Sequence, residues 1–175
     1  MLRAAAVLCL FACLPASAGT LAEEAAVSVA GGKIAAGAPV GSAREQLDCS
    51  ASKVQSTISR CALKPASAPF SRILGRAVAA VTLNLHFQGD VVNMSVELSG
   101  VAPDALLGEL KSQLTGEPRV EYWADDEHLF ASYIWVDGKT EVELTLAVKG
   151  PAGKTILYVS SLACNRPPNP ADAPK

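Results

Sequence analysis

Hydrophobic and polar positions alternate most clearly in AAVTLNLHFQGDVVNMSVELSG. Val81, Leu83, Leu85 and Phe87 fall on one side of an extended chain, and Val92, Met94, Val96 and Leu98 do the same beyond Gln88-Gly89. A period of two marks a strand with one buried face. With Gln88-Gly89 as a two-residue turn, Phe87 pairs with Asp90, Leu85 opposes Val92, Leu83 opposes Met94 and Val81 opposes Val96. Both apolar faces then coincide, as a half-buried hairpin requires.

The period lengthens in APDALLGELKSQLTGEP, where Leu106, Leu107, Leu110 and Leu114 recur at helical spacing. Pro103 suits a first helical position, Gly116 a C-cap, and Pro118 stops continuation. This predicts an amphipathic helix over about 103–115 that lays its leucines on a sheet.

Alternation returns in RVEYWADDEHLFASYIWVDGKTEVELTL. It predicts strands over 119–124, 129–136 and 140–148, with an acidic turn at Asp125–His128 and a hairpin turn at Asp137-Gly138. Two registers are open at the second turn. A two-residue Asp-Gly loop puts Ala131, Tyr133 and Trp135 on the face of Val142, Leu144 and Leu146. A three-residue loop with a bulge turns Trp135 outward and Phe130 and Ile134 inward. Residues 150–153 (GPAG) suggest another turn, and 155–162 a last strand.

Upstream signals are weaker. Residues 19–41 are rich in alanine and glycine and read as a linker-like segment, with a short strand at 27–30. Ser42 and Glu45 have capping-box spacing and predict a short helix over 43–49. A helical turn around Val54 and an extended piece through Cys61 and Leu63 follow, before Pro65 and Pro69. The tail from Cys164 is proline-rich and expected to be disordered. The expected whole is one α+β domain over 42–163. It is a single meandering antiparallel sheet of about five or six strands in ββ-α-ββββ order, with the main helix and the short N-terminal helix packed on one face.

The N-terminus changes the setting. Arg3, an apolar run from Ala4 to Leu14, Pro15 and Ala16-Ser17-Ala18 have the order of a secretory signal cleaved after residue 18. The apolar run is shorter than the ~20 residues a spanning helix needs, and no later stretch qualifies. Leu10 to Cys13 offers the rival reading of a lipoprotein anchored at Cys13, although Phe11 is bulky for that motif. An exported chain, periplasmic or extracellular, is therefore expected.

Net charge is −2 over the full sequence, and loss of Arg3 makes it more negative. A nearly neutral chain without clustered Lys or Arg is unsuited to nucleic-acid backbones. Of the cysteines beyond the signal, Cys49 and Cys61 are close in sequence and expected to pair, by roughly 3 kcal/mol of loop entropy. Cys61–Cys164 is the alternative.

LLGELKSQLTGEP, followed by strands and a tryptophan, resembles small modules of the bacterial envelope, the outer-membrane assembly lipoproteins, which also run helix, Gly-x-Pro, strand, strand with Trp. The resemblance covers about a quarter of the chain. Leu-Thr-Gly-Glu-Pro departs from the family's usual Leu-Gly-x-Pro, so it carries no function across.

Candidate chemistry is sparse. Asp125, Asp126, Glu127 and His128, together with Glu121, could offer metal ligands, but consecutive residues rarely converge on one ion. His86, Asp90 and Ser95 suggest a triad, yet no Gly-x-Ser-x-Gly elbow accompanies them. Asn93-Met94-Ser95 matches a glycosylation sequon inside a strand. Trp123 and Glu121 point away from the helix-covered face by alternation, and exposed aromatics on a sheet favour binding. Trp123, Glu121, Trp135 and Tyr133 are the candidate binding residues. The expected function is a non-enzymatic binding domain for a protein or small envelope component, with no cofactor. The alternatives are an envelope hydrolase or metal-dependent enzyme using His86 or the 125–128 turn, and the lipoprotein accessory.

Overall fold

The computed structural model describes residues 20–51, 58–86, 88–149 and 155–164. The signal with Cys13, the helical turn expected near Val54, Phe87, the turn at 150–153 and the tail from 165 lie outside the described residues. In chain order the elements are α1 (Leu21–Glu24), β1 (Val27–Val29), β2 (Gly32–Ile34), β3 (Leu47–Ala51), β4 (Ile58–Leu63), β5 (Arg72–Ile73) and β6 (Arg76–His86). They continue with β7 (Val91–Leu98), α2 (Pro103–Gln113), β8 (Arg119–Ala124), β9 (Leu129–Val136), β10 (Thr140–Lys149) and β11 (Ile156–Ser161).

Among the described residues eleven strands join in one sheet ordered β2-β1-β5-β6-β7-β11-β10-β9-β8, with β4 on β6 and β3 on β4. This corrects the α+β expectation of a five- or six-stranded sheet carrying helices. The described chain is mostly antiparallel sheet, with two helices of which α1 is one turn long. The short N-terminal helix expected over 43–49 is also corrected. Gly41–Gln46 forms a 3-10 turn, and the chain then extends into β3. The Ser42 hydroxyl bonds the Gly31 carbonyl rather than capping a helix. Its local spacing was outcompeted by pairing of β3 with β4.

β6 organises the sheet because it is long enough to take two partners on one edge. Arg76 and Ala77 pair with β5, while residues 82–86 pair with β4. The β5–β6 turn uses Leu74 and Gly75 at φ 50° and 75°, the left-handed pair of a two-residue primed turn. Leu74 tolerates this unfavourable region while packing against the core.

The sheet also does not simply meander. From β7, α2 carries the chain to the edge strand β8, and β9 and β10 step back until β11 pairs with both β10 and β7. Alternation therefore aligns residues from distant segments. Leu83, Met94, Val159, Val142 and Trp135 form one row across five strands, and all are buried. Leu106 and Leu110 from α2 and its C-cap Leu114, Leu21 from α1 and its C-cap Ala25, and Val27, Ile34 and Ile73 from the small strands join the same core. Full burial of each such leucine or isoleucine stabilises by about 1.5–3 kcal/mol. Two polar clamps hold the helices: Arg76 pairs with Glu109, and Glu24 accepts from the Thr115 amide and hydroxyl at 3.0 and 2.6 Å.

The β6–β7 hairpin has the expected pairs Leu83–Met94 and Val81–Val96. Nearer the turn the register slips, so that Leu85 opposes Val91 instead of Val92, and both valines are buried. In the β9–β10 hairpin the Asp137 amide donates to the Thr140 carbonyl, so the turn centres on Gly138-Lys139. Val142 opposes Trp135. The inward face is that of the two-residue loop, slid by two residues.

Cys49 and Cys61 stand directly opposite each other in β3–β4 and form a disulfide. Cys164 is a free thiol. Among the described residues no helix is long and apolar enough to cross a membrane.

Candidate binding groove on the outer sheet face

The face of β8–β11 opposite the helices is built from the polar phase of the same alternation. Leu144 and Leu146 point inward, so Glu143, Thr145 and Ala147 point outward; Leu157 and Val159 leave Ile156 and Tyr158 outside. Antiparallel pairing then sets Trp123 against Phe130 and Ala147, and Glu121 against Ser132 and Thr145. The side chains enclose a groove of about 520 Å³. By strand order Trp123 of β8 and Phe130 of β9 lie on one side and Tyr158 of β11 on the other, with Thr145 and Ala147 of β10 between them; Glu143, Ile156 and, from the start of α2, Asp104 also line it.

Trp123 is held in place. Its ring stacks on Phe130 with centroids 4.1 Å apart, yet it remains 48% exposed. Its Nε1 donates to Ser132 Oγ at 3.2 Å, Ser132 Oγ lies 3.0 Å from Thr145 Oγ1, and Thr145 Oγ1 donates to Glu143 Oε1 at 3.0 Å. An indole N–H can only donate and an ionised carboxylate can only accept. Each hydroxyl has one hydrogen, so Ser132 must donate to Thr145 and Thr145 to Glu143. The result is a one-way chain across β8, β9 and β10 that orients both the indole and the carboxylate.

Glu121 is exposed beside this chain and paired with Arg119 at 3.3 Å. Tyr133 and Trp135 lie on the helix-covered face instead. Tyr133 packs against the core with Lys111 Nζ 5.5 Å from its ring centroid. Trp135 is 1% exposed, and among the described residues its Nε1 has no hydrogen-bond partner. Of the four candidate binding residues, the structure thus brings Trp123 and Glu121 to the outer face and places the other two inside. Phe130, Glu143, Thr145 and Tyr158 were missed. Tyr158 was legible, because Leu157 and Val159 flank it in a strand and must point the other way.

The acidic segment is a turn. Asp125 Oδ1 accepts from the Glu127 and His128 amides at 2.9 and 2.7 Å and lies 3.0 Å from His128 Nδ1. The Glu127 amide, the His128 side chain and the His128 amide hold the Asp125 carboxyl below its ordinary value of 3.8, against a small opposing effect of burial. Among the described residues no three His, Cys, Asp or Glu side chains gather as a metal site. His86 and Ser95 are not brought together. Ser95 opposes Thr82, four residues along β6 from His86, or about 13 Å at strand rise. The Asn93 amide oxygen accepts from Asn84 Nδ2 at 2.9 Å.

No family model, curated protein or solved structure matches this chain. The likeness of residues 106–118 to envelope lipoprotein modules accordingly remains that of a short pattern.

Proposed function

We propose that this protein is a non-catalytic binding module of the periplasm or cell exterior, and that its partner, a protein or small envelope component, docks in the groove bounded by Trp123, Phe130 and Tyr158. The carrying observation is that Trp123 is both half exposed and fixed, by ring stacking and by a hydrogen bond to a buried serine. A rigid exposed indole loses little conformational entropy on association, which is why such residues dominate interfaces. The order of residues 1–18 and the Cys49–Cys61 bridge support an oxidising compartment.

The test is affinity capture from a cell-envelope extract with the protein and its Trp123→Ala variant in parallel. A component retained by the first and lost by the second is identified, purified and remeasured by calorimetry. If nothing depends on Trp123, the groove is not the docking surface.

A further inference from the structure

Among the described residues the groove brings together aromatic faces and carboxylates without a cation. Its charged side chains among them are Glu143 and Asp104, and no described lysine or arginine side chain lines it. Glu121 and Arg119, just outside, offset each other. Asp104 stands in the first turn of α2, where it offsets the positive helix end. Glu143 is the less compensated charge. Its Oε1 is occupied by Thr145, and among the described residues nothing bonds Oε2. The rings add negative π faces, which attract cations within about 6 Å. A neutral ligand would find few hydrogen-bond donors here, since Trp123 Nε1 and both hydroxyl hydrogens are committed within the chain.

Resting on the binding-module reading, we propose that the groove receives an arginine or lysine side chain of a basic polypeptide, its charge on Glu143 and its stem or guanidinium plane against Trp123, Phe130 and Tyr158. Both side chains suit such a site, because each carries an apolar or planar body behind its charge. The oriented carboxylate supplies the specificity. The aromatic side chains supply contact area.

The experiment is a calorimetric titration of the full protein with acetylated, amidated tetra-arginine and tetra-lysine peptides and with the tetra-glutamine peptide as neutral control. Trp123 emission is followed alongside. The basic peptides are expected to bind saturably and perturb Trp123, the neutral one to show no binding. Glu143→Gln, which keeps an oxygen for Thr145, is expected to weaken binding by about tenfold or more, in line with loss of a close charge pair. Undiminished binding by Glu143→Gln, equal binding of the glutamine peptide, or no binding of the basic peptides would each overturn the proposal. Envelope capture separates this failure from that of the parent reading. A partner lost with Trp123→Ala but kept with Glu143→Gln rejects the cation and retains the module, whereas no Trp123-dependent partner rejects both.

Discussion

The backbone N–H of Leu21, at the start of α1, donates to Oδ2 of Asp137 in the β9–β10 turn, 3.1 Å away and 116 residues later. Asp137 Oδ1 meanwhile accepts from the Lys139 and Thr140 amides at 2.9 and 2.7 Å. One carboxylate therefore shapes a hairpin turn and anchors the N-terminal helix over the core.

Replacing that carboxylate should loosen both elements. Asp137→Ala is expected to lower unfolding stability by about 1–2 kcal/mol, as loss of charge-assisted hydrogen bonds does. Burial pushes the Asp137 carboxyl up, but the amides of Lys139, Thr140 and Leu21 together outweigh it and hold it below the ordinary 3.8. A lowered folded value means that the contribution is complete above 3.8 and is lost as pH falls through the lower folded value. The stability gap between the protein and Asp137→Asn, measured by urea unfolding across pH, should be constant near neutrality and narrow only on strong acidification.

The disulfide joins residues 12 apart in sequence. The paired replacement Cys49→Ala and Cys61→Ala should destabilise by about 2–3 kcal/mol, because a bridge restricts the unfolded chain. Cys164→Ser should change stability by less than about 0.5 kcal/mol. Guanidinium unfolding of both variants distinguishes the bridge from the free thiol; similar losses would make Cys164 the unexpected structural residue.

Opposite environments make the two tryptophans separable by fluorescence. With Trp123→Phe, the remaining Trp135 should emit to the blue and resist iodide, being 1% exposed. With Trp135→Phe, the remaining Trp123 should be readily quenched. Trp135→Ala removes the large side chain from the core and should destabilise by about 3–5 kcal/mol. Readily quenched Trp135 emission would contradict its placement.

Ser132 is 2% exposed and links Trp123 to Thr145. Ser132→Ala should lower stability by about 1 kcal/mol. It should also weaken the near-ultraviolet circular dichroism of Trp123, measured in the Trp135→Phe background. An unchanged Trp123 signal would show that stacking on Phe130 alone holds the indole.

Alternation by itself determined which residues of β6, β7 and β10 face the core. Leu83 and Met94, Val142 and Leu144, and the leucines of α2 were assignable because a period of two or of 3.6 repeats several times in each segment. Proximity of Cys49 and Cys61 in the chain likewise made their pairing legible. The outward direction of Trp123 and Glu121 followed from the same parity. Only the tertiary structure decided the rest. β1, β2 and β5 span two or three residues each, too short for any periodicity, and exist because neighbouring strands satisfy their backbone. The 3-10 turn at Gly41–Gln46 replaced a helix because β3 gained a partner in β4. The inward Trp135 depended on where the Asp137 turn closed, and a one-residue slip would have reversed every side chain in the strand. The groove depended on β8, β9, β10 and β11 lying side by side. Trp123, Thr145 and Tyr158 are distant in sequence, and no local pattern encodes their meeting.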